Sequence, residues 1–112
     1  MIVTTNQIGE IFTVELIGRF DAQTALDVEV KLKELFAQGH TKIVVDLGQV
    51  DYISSSGLRV LLGALKECRK KCNGDCRLAV IKPHVKQIFE MSGFTQIFSI
   101  HTTVAEAVKS FQ

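Results

Sequence analysis

The sequence predicts an α/β fold: a mixed β-sheet that begins with an N-terminal β-hairpin, continues as βα units, and carries its helices packed on the sheet. Three observations predict it. Two apolar runs near Met1 are separated by a short glycine turn. From residue 21 onward, stretches of helical period alternate with short apolar runs, the pattern of a sheet whose later strands are parallel. The chain has 112 residues, of which 46% are hydrophobic. That is enough for one core and too little chain for two, so residues 1–112 are read as one domain.

The first two strands are Ile2 to Thr5 and Ile11 to Leu16, on either side of Ile8-Gly9-Glu10. In the second, Ile11, Thr13 and Glu15 alternate with Phe12, Val14 and Leu16, a period of two. Gly18-Arg19-Phe20-Asp21 closes the hairpin and opens the first helix, with Asp21 as the expected N-cap because its carboxylate accepts from first-turn N–H groups. Ala25, Val28, Leu32, Leu35 and Phe36 then share one helical face. Gly39 supplies the stop.

Lys42 to Leu47 reads as a strand covered on both faces. A second helix carries Leu58, Leu61, Leu62, Leu65, Cys68 and Cys72 inward and ends at Asn73-Gly74-Asp75. Arg77 to Ile81 is another buried strand. Pro83 suits the first turn of a third helix, which buries Val85, Ile88 and Phe89 and stops at Ser92-Gly93. Gln96 to Ile100 gives a last strand. Thr103-Val104-Ala105-Glu106 is a capping box for the terminal helix.

Bulk properties narrow the functional classes. Formal net charge is +1, which gives no electrostatic footprint for nucleic acid or an anionic membrane. Apolar runs are short and broken by charge, so no transmembrane helix is expected, and no leader-like segment follows Met1. These features read as a cytoplasmic protein. Cys68, Cys72 and Cys76 are odd in number, and C-x3-C-x3-C misses the usual zinc and iron–sulfur spacings. They read as small apolar groups in a reducing compartment, with no metal and no cofactor.

The most informative segment is Val44 to Leu58, where an apolar strand leads through Asp51-Tyr52-Ile53 to Ser54-Ser55-Ser56-Gly57 and then a helix. A helix N-terminus has unpartnered N–H groups and a positive dipole end, so it tolerates a phosphate. One serine of three is expected to cap the helix; three followed by glycine exceed what capping needs. No nucleophile elbow G-x-S-x-G surrounds them, and no phosphate cradle or dinucleotide fingerprint is present. His40, His84 and His101 all fall at element ends, where solvated histidines are common. No catalytic residue is assigned.

Asp46-Leu47 through Leu58, continued by Arg59-Val60-Leu61-Leu62, resembles the signature of STAS domains, the anti-sigma factor antagonist family. Gly18-Arg19-Phe20-Asp21 resembles the family's strand-to-helix turn, and Ser92-Gly93-Phe94 and Val104-Ala105-Glu106-Ala107 resemble its last two helices. The resemblance implies a STAS-type fold and, for stand-alone members, partner switching. The unphosphorylated antagonist binds an anti-sigma factor that is also a serine/threonine kinase. Phosphorylation releases it, and a serine phosphatase reverses the step. The antagonist itself is not an enzyme. Carried over by position, the phosphoacceptor is Ser55, with Ser54 and Ser56 as the lesser candidates. Many members have Asp at the position of Ser54. The resemblance and the turn together imply a docking surface of Asp21, Ser54, Ser56, Gly57, Leu58 and Arg59, with Gly57 expected to let a partner approach the backbone. Two other classes are a non-switching STAS module of a transporter or larger sensory complex, and a small serine hydrolase.

Overall fold

A computed structural model describes residues 1–112. Its elements are β1 (Ile2–Ile8), β2 (Ile11–Phe20), α1 (Ala25–Ala37), β3 (Lys42–Ile53), α2 (Ser55–Arg69), β4 (Asp75–Ala79), α3 (Pro83–Met91), a 3-10 turn (Phe94–Gln96), β5 (Ile100–His101) and α4 (Val104–Lys109). The order of strands and helices is the expected one. The five strands lie side by side in sequence order. β1 and β2 are antiparallel, and every later pairing is parallel.

The hairpin is tight. Ile8 pairs with Ile11 across Gly9-Glu10, and Gly9 takes a φ of 60°. Glycine with positive φ at the first central position suits a two-residue hairpin turn. Beyond it, each parallel pair is joined by a helix. Right-handed crossovers that advance in one direction place their helices on one face, and α1, α2 and α3 all contribute to one apolar cluster there. Val14, Leu16, Ile43, Val45, Leu47 and Leu78 supply its sheet side. All six are fully buried, each worth about 1.5–3 kcal/mol relative to exposure. α4 follows the last strand and crosses to nothing, so it is free of that constraint. It covers Ile11, Val44 and Ala79 on the opposite face with Ala107 and Val108. No helix is long and apolar enough to cross a membrane.

Several boundaries differ from expectation. β1 runs to Ile8 and not Thr5, and β2 to Phe20 and not Leu16, because the ladders with their neighbours continue to those residues. β3 does not end at Leu47 but runs to Ile53, because its pairing with β2 resumes after register shifts and returns Val50 and Ile53 to the core. β4 ends two residues early, where Val80 takes a φ of 62°. The expected strand from Gln96 is replaced by the 3-10 turn and a two-residue β5. Gly93 (φ 76°) turns the chain into it, and Phe94 and Phe98 gather on Phe89 with ring centroids 6.0–6.2 Å apart. α2 ends at Arg69, so Cys72 lies beyond the helix and is exposed, while Cys68 and Cys76 are buried. Burial raises the Cys68 thiol to about 12 and pushes Cys76 well above its ordinary value, so both stay protonated.

Candidate functional site

The C-terminal ends of β2 and β3 lie side by side, and each feeds a helix. Parallel strands emptying into helix starts at one sheet end are where open α/β sheets present binding groups. Phe20 pairs with Ile53 in register, and the Ser54 N–H donates to the Phe20 carbonyl at 2.9 Å. That bond brings the turn carrying Asp21 against the turn carrying the serines.

Asp21 precedes α1 by a full turn rather than abutting it. Thr24 holds the N-cap position with no side-chain cap of its own. The Asp21 carboxylate instead organises the lead-in turn. Its Oδ1 accepts from the Gln23 N–H at 3.0 Å and the Thr24 N–H at 3.1 Å, and the Ala25 N–H donates to the Asp21 carbonyl at 2.9 Å. The Thr24 backbone bond, aided by the Thr24 hydroxyl, the Gln23 N–H and the Arg19 guanidinium, holds the Asp21 carboxyl below the usual carboxylate range.

The three serines are not equivalent. Ser54 is the N-cap: its backbone is extended, and its Oγ accepts from the Gly57 N–H at 3.2 Å. Aspartate caps helices as well as serine does, so Ser54 performs the local task an acid would perform there. Ser55 is the first helical residue and is exposed, and its hydroxyl makes no hydrogen bond. Ser56 is half-buried. The first N–H groups of the helix have no intrahelical acceptor, so the field around Ser55 favours an anion.

Gly57 faces the other way from expectation, while Leu58 points inward as the helical pattern implies and so offers little to a docking surface. Gly57 is buried, and a Cβ on it would stand 2.9 Å from Ile53 Cγ1 and 3.0 Å from the Phe20 ring. Its missing side chain lets α2 seat on the strand ends; it leaves no backbone open to a partner. Leu58 is 8% exposed and belongs to the core. Arg59 is exposed as expected. Beside it, a shallow recess of about 230 Å³ between α1 and α2 is lined by Ala25, Leu26, Glu29, Ser56, Arg59 and Val60.

Sequence reasoning did not assign several neighbours. The Arg19 guanidinium lies 4.0 Å from the centre of the Tyr52 ring and 3.5 Å from the Asp21 carboxylate. Asp51 pairs with Lys82, which holds its carboxyl below the ordinary value, and its carbonyl meets His84 Nε2 at 2.7 Å. Arg19 and Tyr52 both stand in segments quoted for the motif, but only the strand register brings them together. The histidines are engaged elsewhere: His40 on the Phe12 ring at 4.2 Å, His84 with Asp51, and His101 with Ser99 Oγ at 2.8 Å. None hydrogen-bonds to the serine turn. No group of three or more His, Cys, Asp or Glu residues is arranged to hold a metal ion.

Comparison with known proteins agrees with this geometry. The STAS domain model matches residues 3–107. A protein assigned as an anti-sigma factor antagonist, BtrV of Bordetella bronchiseptica, is 36% identical over 112 residues, which is 100% of this chain and 96% of its own. Among solved structures, a protein assigned as an anti-sigma factor antagonist of Thermotoga maritima superposes with a TM-score of 0.91 at 19% identity, covering 97% of this chain and 93% of the other. The Bacillus cell fate determinant SpoIIAA, solved in its phosphorylated form, superposes with a TM-score of 0.77 at 21% identity, covering 99% and 100%. On the span of the domain model and the end-to-end relative, this chain belongs to the STAS domain family, among its anti-sigma factor antagonists.

Proposed function

We propose that this protein binds an anti-sigma factor serine kinase in its unphosphorylated form and is released when that kinase phosphorylates Ser55. The single observation that carries the reading is the Ser55 hydroxyl: exposed, unbonded, and in the first turn of α2. A phosphate there adds about −1.5 to −2 charge and three strong acceptors. The helix start accommodates that charge internally, while a partner docked over the turn meets it as repulsion and bulk. The docking surface in this reading is Ser54, Ser55, Ser56 and Arg59, flanked by Asp21, with Gly57 and Leu58 shaping it from beneath. A serine phosphatase acting on the same residue resets the cycle.

The antagonists of this family are not an enzyme class, and the three histidines are partnered away from the serines. Nothing favours a hydrolase over a docking surface. The test is to incubate the chain with its cognate kinase and ATP and to map the modified residue by mass spectrometry. Modification at Ser55, loss of it in Ser55→Ala, and ATP-dependent dissociation of the complex support the reading. A stable complex that ATP leaves intact and unmodified makes the protein a passive binding module instead.

A further inference from the structure

The two edges of the sheet are built differently. β5 has two residues, too short to offer a template. β1 has seven, Ile2-Val3-Thr4-Thr5-Asn6-Gln7-Ile8, with no proline and no charged side chain, and it pairs with β2 alone. Long edge strands are ordinarily guarded by lysine, proline, a bulge or a covering element, because their free N–H and C=O groups template another strand. β1 carries no such residue, and its ladder with β2 runs without a register shift.

Its register is also self-complementary. Ile8 and Ile11 flank the two-residue turn and form a hydrogen-bonded pair, so Asn6, Thr4 and Ile2 also bond inward to β2. Val3, Thr5 and Gln7 therefore direct their backbone groups to the free edge. If a second β1 pairs antiparallel with Thr5 on the two-fold axis, Val3, Thr5 and Gln7 bond to the partner's Gln7, Thr5 and Val3, giving about six new backbone hydrogen bonds. The same axis sets Ile2 opposite the partner's Ile8 in non-hydrogen-bonded pairs, where side chains approach most closely. Ile2 and Ile8 are two of the exposed large hydrophobic residues of the chain, at 61% and 40%. A two-fold at Thr5 brings them together at both ends of the contact.

We propose that β1 is a homodimerisation edge: two copies of this chain pair β1 to β1, antiparallel about Thr5, into one continuous sheet. The contact closes on itself, so association stops at the dimer. A single strand pair is a small interface, so the dimer is weak and reversible. It leaves the serine turn at the end of β3, two strands inward, exposed on each copy.

The test is sedimentation velocity of the full chain from about 10 μM to about 1 mM, the range in which small interfaces associate. Wild type is expected to shift from monomer to dimer across it. Thr5→Pro removes a free-edge N–H and no β1–β2 bond, and is expected to weaken association at least about tenfold with unchanged circular dichroism. If that variant misfolds, charge pairs decide. A chain with Ile2→Lys and Ile8→Lys, and another with Ile2→Glu and Ile8→Glu, should each remain monomeric and should form a heterodimer when mixed. A wild type that stays monomeric throughout overturns the proposal. So do species larger than a dimer, a well-folded Thr5→Pro variant that associates as wild type does, and charge variants that fail to associate on mixing.

Discussion

The starts of α1 and α2 sit next to each other at one end of the sheet and solve the same problem in opposite ways. At α1, a carboxylate accepts from two backbone N–H groups and the hydroxyl of Thr24 closes the turn, so negative charge is already in place. At α2, one neutral hydroxyl caps at 3.2 Å and the next is left unbonded. The first start is finished; the second has room for an anion that the chain does not itself supply. An exposed group beside an unfilled helix start is thus more informative than the start alone, because the lead-in turn accounts for Asp21 and capping for Ser54, and neither accounts for Ser55.

The largest expected effect that would break the contrast comes from beneath the second start. Gly57→Val should destabilise the fold by about 2–3 kcal/mol in urea unfolding, since even a Cβ meets Ile53 and the Phe20 ring at 2.9–3.0 Å. Gly63→Ala on the same helix has open space around it and should stabilise by about 0.5–1 kcal/mol. Equal responses at the two glycines would remove close packing as the reason for Gly57.

The serines are expected to respond more weakly than Gly57. Ser54→Ala should cost about 1 kcal/mol as a lost cap, and Ser55→Ala should stay within about 0.5 kcal/mol, both read by chemical denaturation. A reversed order would assign the cap to Ser55 and weaken its reading as a free acceptor. Ser55→Asp should keep the thermal midpoint within about 3 °C, because the helix dipole accepts the charge. Its affinity for the cognate kinase should fall about tenfold or more in titration calorimetry.

The smallest effect is present at neutral pH and fades in acid. Asp21 has its folded-state carboxyl held below the ordinary 3.8, chiefly by the Thr24 N–H. A depressed carboxylate contributes stability that is full above the unfolded value and is lost as pH falls through the folded one. Asp21→Asn should therefore be less stable than wild type at neutral pH, with the gap closing below about pH 4 in pH-dependent thermal melts. A gap independent of pH would assign the stabilisation to shape and not to charge.

Element order was legible because periodicity changes sharply between residues 20 and 25 and again at each glycine stop. The extension of β3 to Ile53 was not, since Gly48-Gln49 reads locally as a turn and only pairing with β2 keeps the strand going. The last strand misled for a related reason. Phe98 alternates like a strand residue but is buried by two other phenylalanines. At the site, residue types were legible and facing directions were not. Ser55 and Arg59 stand outward as the helical pattern implies, whereas Gly57 turns inward because Phe20, from a strand far away in sequence, occupies the space its side chain would need. The pairing of Arg19 with Tyr52 likewise depends on strand register that no local pattern encodes.

The Ser54 cap has a chemical consequence of its own. Any enzyme that modifies this turn encounters three adjacent primary hydroxyls of the same intrinsic reactivity. One of them, Ser54, already uses an oxygen lone pair to cap the Gly57 N–H, and a group added to that oxygen would compete with the cap. On the reading proposed for Ser55, the backbone would act on Ser54 as a protecting group does in synthesis, and part of the regioselectivity would reside in the substrate.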